Sequence, residues 1–564
     1  MKALAVVFSL LLLGSLALAQ PKPETTLSGK VLLDDGQPAA GASLEINSVG
    51  QTKNSNSDSV QCDETGSFKL TGLAPGSYSI EVAAPGYVTD DFTAQRVYRP
   101  GETVTIRLVK GGVITGKITD ATGEPLVNVE VKLQRLRDLT GNRVRNGGSS
   151  FFGDDFRTDD RGIYRAFGLM PGVYVVNVEP NTGDRWIGRG TEAPTYYPST
   201  ARDTAMELTL RPGDELSNID IRFRGEAGRA ISGVVTGAIE SSQPFNRPGL
   251  TLLHAATKEP VASTSPNQAN AFVLFGIPDG EYELYARQIG RREENSSGSA
   301  SQRVSVKGTD VSGLNLRLTA YGKISGRVVV ESPKPGENKC DNKTLASIEE
   351  ILLRPQSELR NSRSLSALLD EADEANNRIA PDEKGEFLLN SLEPDAYRIE
   401  ADLPGENWFV RSMTLPPVGA AKTKTDAARS PINVKPGEKV SNLEITIAEG
   451  AASLSGRVAP AKEGGNLPTR LRVHLIPAEA AAIDDVLRYR ETVIEKTGSF
   501  EFKHLAPGKY RLLARSISDT EKDTPRPAAF DSTERIKLKK EAEAALNELE
   551  LTSCQRVTNQ VLRF

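Results

Sequence analysis

The sequence predicts an all-β fold, five antiparallel β-sandwich modules in tandem, on three observations. Five segments open alike, with an apolar residue, Ser or Thr, Gly, and an apolar position two further on: Leu27-Ser28-Gly29-Lys30-Val31, Ile114-Thr115-Gly116-Lys117-Ile118, Ile231-Ser232-Gly233-Val234-Val235, Ile324-Ser325-Gly326-Arg327-Val328 and Leu454-Ser455-Gly456-Arg457-Val458. Each holds a strand–turn–strand signature in its interior, and the segments close on a turn followed by an alternating strand. Openings about a hundred residues apart mark whole domains rather than solenoid turns, and apolar–polar alternation makes each opening a half-buried strand.

The interior signature is clearest in Asp63-Glu64-Thr65-Gly66-Ser67-Phe68-Lys69-Leu70 and Leu73-Ala74-Pro75-Gly76-Ser77-Tyr78. Asp and Gly form a turn, Phe68 and Leu70 share a face, and Pro75-Gly76 predicts a type II turn with glycine at positive φ. The pattern returns around Tyr164, Pro171, Gly172 and Tyr174, and again around Phe500, Phe502, Pro507, Gly508 and Tyr510. In the fourth segment Asp395 stands where the turn glycine is expected, and in the third Asp279 replaces the proline. The closing signature reads Pro100-Gly101-Glu102 before Val104, Ile106 and Leu108, Pro212-Gly213-Asp214 before Ile219 and Ile221, and Pro436-Gly437-Glu438 before Leu443 and Ile445. The fifth segment is expected to end on Leu549 and Leu551, after a Lys/Glu/Ala stretch of helical character, leaving Phe564 in a soluble tail. Boundaries fall at 20–111, 112–228, 229–321, 322–450 (with an inserted loop and an amphipathic helix at Ser364 to Asn377) and 451–564. Junctions this short predict a semi-rigid rod.

Composition sets outer limits. The 564 residues carry 69 basic and 74 acidic side chains, intermixed, so no basic stripe points to nucleic acid. Residues 1–19 read as a signal peptide: Lys2 precedes an apolar run, and Ala17-Leu18-Ala19 is a small-residue cleavage site that leaves Gln20 first. The expected location is therefore the periplasm, the outer cell surface or the extracellular space, with no transmembrane span after cleavage. Cys62, Cys340 and Cys554 fall in three different segments, so none is stapled internally, and buried or idle thiols are the expectation.

These motifs resemble the carboxypeptidase regulatory-like domain, an Ig-like sandwich of the prealbumin-like (transthyretin-like) type. The first two segments also carry its middle element, as Asp34-Asp35-Gly36-Gln37-Pro38 and Asp120-Ala121-Thr122-Gly123-Glu124-Pro125-Leu126; the others depart from it. The resemblance implies a cell-envelope or exported protein and possible carbohydrate contact. It specifies fold rather than chemistry.

The search for chemistry yields no catalytic residue, metal site or cofactor. The three histidines, His254, His474 and His504, lack the H-x-x-E spacing of a metallocarboxypeptidase zinc site. Gly111 to Lys117 fits G-x-x-x-x-G-K, but Ile118 replaces the Mg²⁺-binding hydroxyl and the motif opens a strand. Asp154-Asp155 and Asp159-Asp160 lack calcium-loop spacing. The candidate ligand-binding residues are Trp186, Tyr196 and Tyr197, read either as a stacking platform for sugar or protein or as a cover for the segment's own open end. Trp408-Phe409 reads as core. The expected partner is an envelope protein or a polysaccharide; a hydrolase is the third and least supported reading.

Overall fold

Among the described residues, buried apolar side chains gather into five main cores, each drawn from one stretch of chain. They are built around Leu27, Ile80 and Ile106; Ile114, Tyr174 and Ile221; Ile231, Leu284 and Leu316; Ile324, Ile399 and Ile445; and Leu454, Leu512 and Leu562. The computed structural model describes residues 26–50, 57–90, 96–141, 144, 156–179, 191–237, 247–288, 296–331, 340, 346–358, 378–417, 423–462, 465–468, 470–494, 498–517, 527–545 and 547–564. The signal peptide and the helix expected at 364–377 lie outside them.

The first segment shows the plan. One sheet runs Ser67–Thr71, Thr26–Leu32, Thr103–Lys110, Tyr87–Thr89, and the other Ser57–Gln61, Ser43–Val49, Ser77–Ala83. All pairs are antiparallel except the first strand with the last. That parallel pair recurs in every segment. In the third, the strands join into one continuous eight-stranded sheet through Ser297–Ser299 against Val311–Ala320.

The parallel pair explains the opening glycine. A Cβ at Gly29, Gly116, Gly233, Gly326 or Gly456 would lie 2.1, 2.1, 2.2, 2.0 or 2.0 Å from the main-chain oxygen of Val104, Ile219, Leu314, Leu443 or Gln560, each on the closing stretch. The glycine is there for close backbone approach, which no side chain permits. The interior tyrosine acts just as uniformly. The hydroxyls of Tyr78, Tyr174, Tyr282, Tyr397 and Tyr510 donate to the main-chain oxygens of Ala74, Met170, Pro278, Glu393 and Ala506, pinning the turn four residues back.

Four expectations need correction. The glycine after proline does not make a left-handed turn throughout: Gly172 and Gly280 lack positive φ, as does Asp395 at the same place. Gly172 is small because a Cβ would fall 2.5 Å from the Arg137 oxygen. The fifth segment does not end at Leu549 and Leu551; the strand Glu548–Leu551 pairs with Gly508–Ser516, and Arg556–Arg563 is the closing parallel strand. Asn559, at φ 60°, bulges that strand and breaks its alternation, as Asn218, Gly313 and Asn442 do in their segments. The thiols are not all idle: Cys340 and Cys554 form a disulfide linking the fourth segment to the fifth, while Cys62 is free and buried. The segments also do not make a simple rod, because the first one packs against the fourth.

The helix Ser532–Ala545 realises the expected helical stretch. It covers the outer face of the fifth sandwich, where Leu538 and Ala542 join Ile476, Tyr489, Leu513 and Phe530 in a second small core. Among the described residues no helix is long and apolar enough to cross a membrane.

Candidate functional site

In the interior signature, the residue before the recurring leucine or isoleucine has a left-handed backbone in all five segments: Gly72, Gly168, Gly276, Ser391 and His504, at φ of 84°, 65°, 69°, 58° and 55°. From the second segment on, the strand register shifts there, the mark of a bulge. The bulge faces the junction with the preceding segment. A Cβ on Gly111 would lie 3.0 Å from the Gly168 Cα, and one on Gly228 would lie 2.5 Å from the Gly276 Cα. Where glycine gives way to a side chain, that side chain bridges. Ser391 Oγ is 2.7 Å from Ser296 Oγ of the third segment, and His504 Nδ1 donates to the Trp408 oxygen of the fourth at 2.8 Å. Burial, together with Arg490 and Arg99, holds the His504 imidazole below its ordinary pKa; the Trp408 oxygen and Asp402 oppose that.

The second and third segments meet through side chains. Arg202 Nε donates to Glu259 at 2.6 Å while its guanidinium lies over the Tyr196 ring, 5.8 Å from the centroid. His254 Nε2 is 3.0 Å from Asp203, and its Nδ1 is 3.1 Å from Thr257 Oγ1. Tyr196, one of the three candidate ligand-binding residues, is thus buried at 7% exposure on the floor of a junction, and burial drives its phenol pKa up. It offers no free ring face. Tyr197 is half-buried against the second core, with its main-chain N–H donating to Val176. Trp186 lies outside the described residues, so the structure places only Tyr196 and Tyr197, as chain neighbours with different surroundings.

The fourth and fifth segments meet through charged side chains as well as the disulfide. The buried Arg398 donates to Glu358 and to the Ala428 oxygen at 3.0 Å each, beneath the Phe530 ring. Glu406 pairs with Arg556 and Lys503, and the Arg556 hydrogen bond holds its carboxyl below the usual range. Trp408 and Phe409 are buried, as expected of core residues.

His474 sits 3.4 Å from Glu491 beneath the helix-bearing end, so each histidine has a partner. Asp159 is a turn former: its Oδ1 accepts the N–H groups of Arg161 and Ile163. Asp154 and Asp155 lie outside the described residues. Among the described residues no cluster of three or more His, Cys, Asp or Glu is placed to hold a metal.

Residues 26–109 match the carboxypeptidase regulatory-like domain. Among curated proteins none matches the chain. Among solved structures, the chain is similar to the Bacillus anthracis TIE protein at 17% identity and a TM-score of 0.14, covering 52% of this chain and 51% of that one. It is also similar to the minor pilin GBS52 of Streptococcus agalactiae, at 13% identity and a TM-score of 0.19 over 35% of this chain and 96% of that one. The major pilin subunit BcpA of Bacillus cereus gives 11% identity and a TM-score of 0.12, over 52% of this chain and 99% of that one. The β-sandwich assignment rests on the strand pairing itself.

Proposed function

We propose that the protein is an exported, non-enzymatic binding or scaffold protein whose five sandwich modules, divided at 20–111, 112–228, 229–321, 322–450 and 451–564, present loops to an envelope protein or polysaccharide. The observation that carries the reading is where the distinctive side chains go. His254, Ser391, His504, Arg202 and Arg398 serve junctions between modules, while the tyrosine hydroxyls pin turns. Such a chain builds a defined spacing of modules. The Cys340–Cys554 disulfide supports an oxidising compartment, and with it the reading of residues 1–19 as a signal peptide.

The test is co-sedimentation of the purified chain with isolated envelope polysaccharide and with envelope protein fractions, alongside a peptidase and glycosidase screen. Saturable binding without turnover is expected. Measurable peptide or glycan hydrolysis would overturn the reading.

A second reading, a carbohydrate-binding accessory protein, takes its contact residues from Trp186, Tyr196 and Tyr197, of which Tyr196 is the buried one. Glycan-array binding that disappears in W186A/Y197A supports it. Absence of binding, or binding unchanged in that variant, removes it.

A further inference from the structure

The first and fourth segments are separated by more than two hundred residues yet meet through polar contacts that converge on one short turn. The turn Ile348–Glu350 ends in a main-chain oxygen that accepts from two residues of the first segment, Ser77 Oγ at 3.0 Å and Arg99 Nε at 3.3 Å. Ser77 is fully buried there. Arg99 also reaches Asp402 at 3.2 Å. Beside this, the Ala380 N–H donates to the Gly50 oxygen at 2.9 Å, and a Cβ on Gly50 would lie 2.8 Å from both Ala380 N and Leu352 Cδ2. The two surfaces are shaped to each other down to a missing methyl group. Glu350 is itself 7% exposed, and its carboxyl feels the charges of Arg99 and Glu102 of the first segment.

We infer that the first module is latched onto the fourth by this contact, and that protonation of Glu350 holds the latch shut while its ionisation releases it. The released form frees the first module from the fourth and exposes the surfaces bearing Ser77, Arg99 and Gly50.

The charges around Glu350 fix the direction. Arg99 of the first module and the Ser347 main-chain N–H favour the carboxylate, while Glu102 of the first module, its own carboxyl raised by burial, and Glu349 on the same turn oppose it; the Tyr78 phenol also feels this acidic group. Burial outweighs Arg99 and raises the carboxyl from 4.5 to about 7. Opening returns the group to water and toward 4.5. The closed form therefore holds its proton more tightly than the open form. Its extra stability is complete below 4.5 and is lost as pH rises through about 7. The latch equilibrium should weaken about tenfold between about pH 6 and about pH 8.5. His504, which also feels Arg99 and Asp402, titrates in the opposite sense and below its ordinary 6.5, beneath the range in which Glu350 responds.

The experiment is small-angle scattering on the full oxidised chain across that pH range, with E350Q and G50L beside the wild type. Wild type should expand as pH rises. E350Q, neutral at every pH, should stay compact throughout. G50L, which drives a side chain into Ala380 and Leu352, should be expanded throughout; R99A is the second opening variant, and circular dichroism of each confirms that the sandwiches remain folded. A wild-type radius that does not change with pH, a pH response retained by E350Q, or a folded G50L and R99A as compact as wild type would each overturn the latch.

Discussion

His504 Nδ1 reaches across from the fifth sandwich to the main-chain oxygen of Trp408 in the fourth, at 2.8 Å, from a backbone in the left-handed region at φ 55°. A non-glycine residue there carries about 1 kcal/mol of strain, so the bridge must offset a local cost. H504G should relieve that strain and lose the bridge, leaving the fifth core intact but its junction looser. H504N tolerates the backbone and can still donate, so it should retain the bridge without titrating. Because burial depresses the imidazole pKa, the contribution is present above the unfolded value of 6.5 and is lost as pH falls through the folded one. Hydrogen exchange at Trp408–Leu415 should rise on acidification in wild type and stay level in H504N.

The disulfide makes a prediction that can be counted. Of three cysteines, Cys340 and Cys554 are joined and Cys62 is buried with its thiol pushed up to about 11 by burial and Asp63. Native protein should react slowly with a thiol reagent, denatured protein should titrate one thiol, and denatured, reduced protein three. A covalent tie of this reach typically contributes about 2–4 kcal/mol. C340S should therefore loosen the junction of the last two modules while leaving the transitions of the first three in place, read by calorimetry with and without reductant.

What the sequence made legible was whatever repeats with a period. The opening glycines, the turn aspartates and the interior tyrosines recur because each solves the same backbone problem in every sandwich. The closing strand at Arg556–Arg563 was hidden because Asn559 adds a residue and throws its alternation out of phase. The junction role of Ser391 and His504 was hidden for a related reason: each occupies a glycine-like slot, and a bulge gives no hydrophobic period. The contact of Ser77 and Arg99 with Glu350 joins residues with no shared pattern and was beyond any one-dimensional signal. The candidate aromatics were legible as types but not as surroundings, since only the fold puts Tyr196 beneath Arg202.

The frame shared by the sandwiches can be tested in the second one. G116A would place a methyl group 2.1 Å from the Ile219 oxygen, backbone that cannot yield without parting the first and last strands. It should destabilise that module by about 3 kcal/mol. Y174F removes only the hydroxyl bond to Met170 and should lose about 1 kcal/mol. Local exchange protection of Gly112–Thr119 in the full chain should fall in that order, with the other openings unchanged. Equal effects of the two variants would contradict the close-approach account of the glycine.

Tyr196 and Arg202 separate the junction role from a ligand-binding role. If the ring supports the ion pair between Arg202 and Glu259, then Y196A and E259Q should both weaken the join between the second and third modules, and Y196A should also open a cavity beneath it. Truncating so large a buried ring should cost about 3–5 kcal/mol, whereas E259Q strands a largely buried guanidinium and should cost about 3 kcal/mol. Limited proteolysis around 224–229 is the readout: early cleavage in Y196A and E259Q is expected. Resistance retained in Y196A would make that ring a candidate ligand contact again.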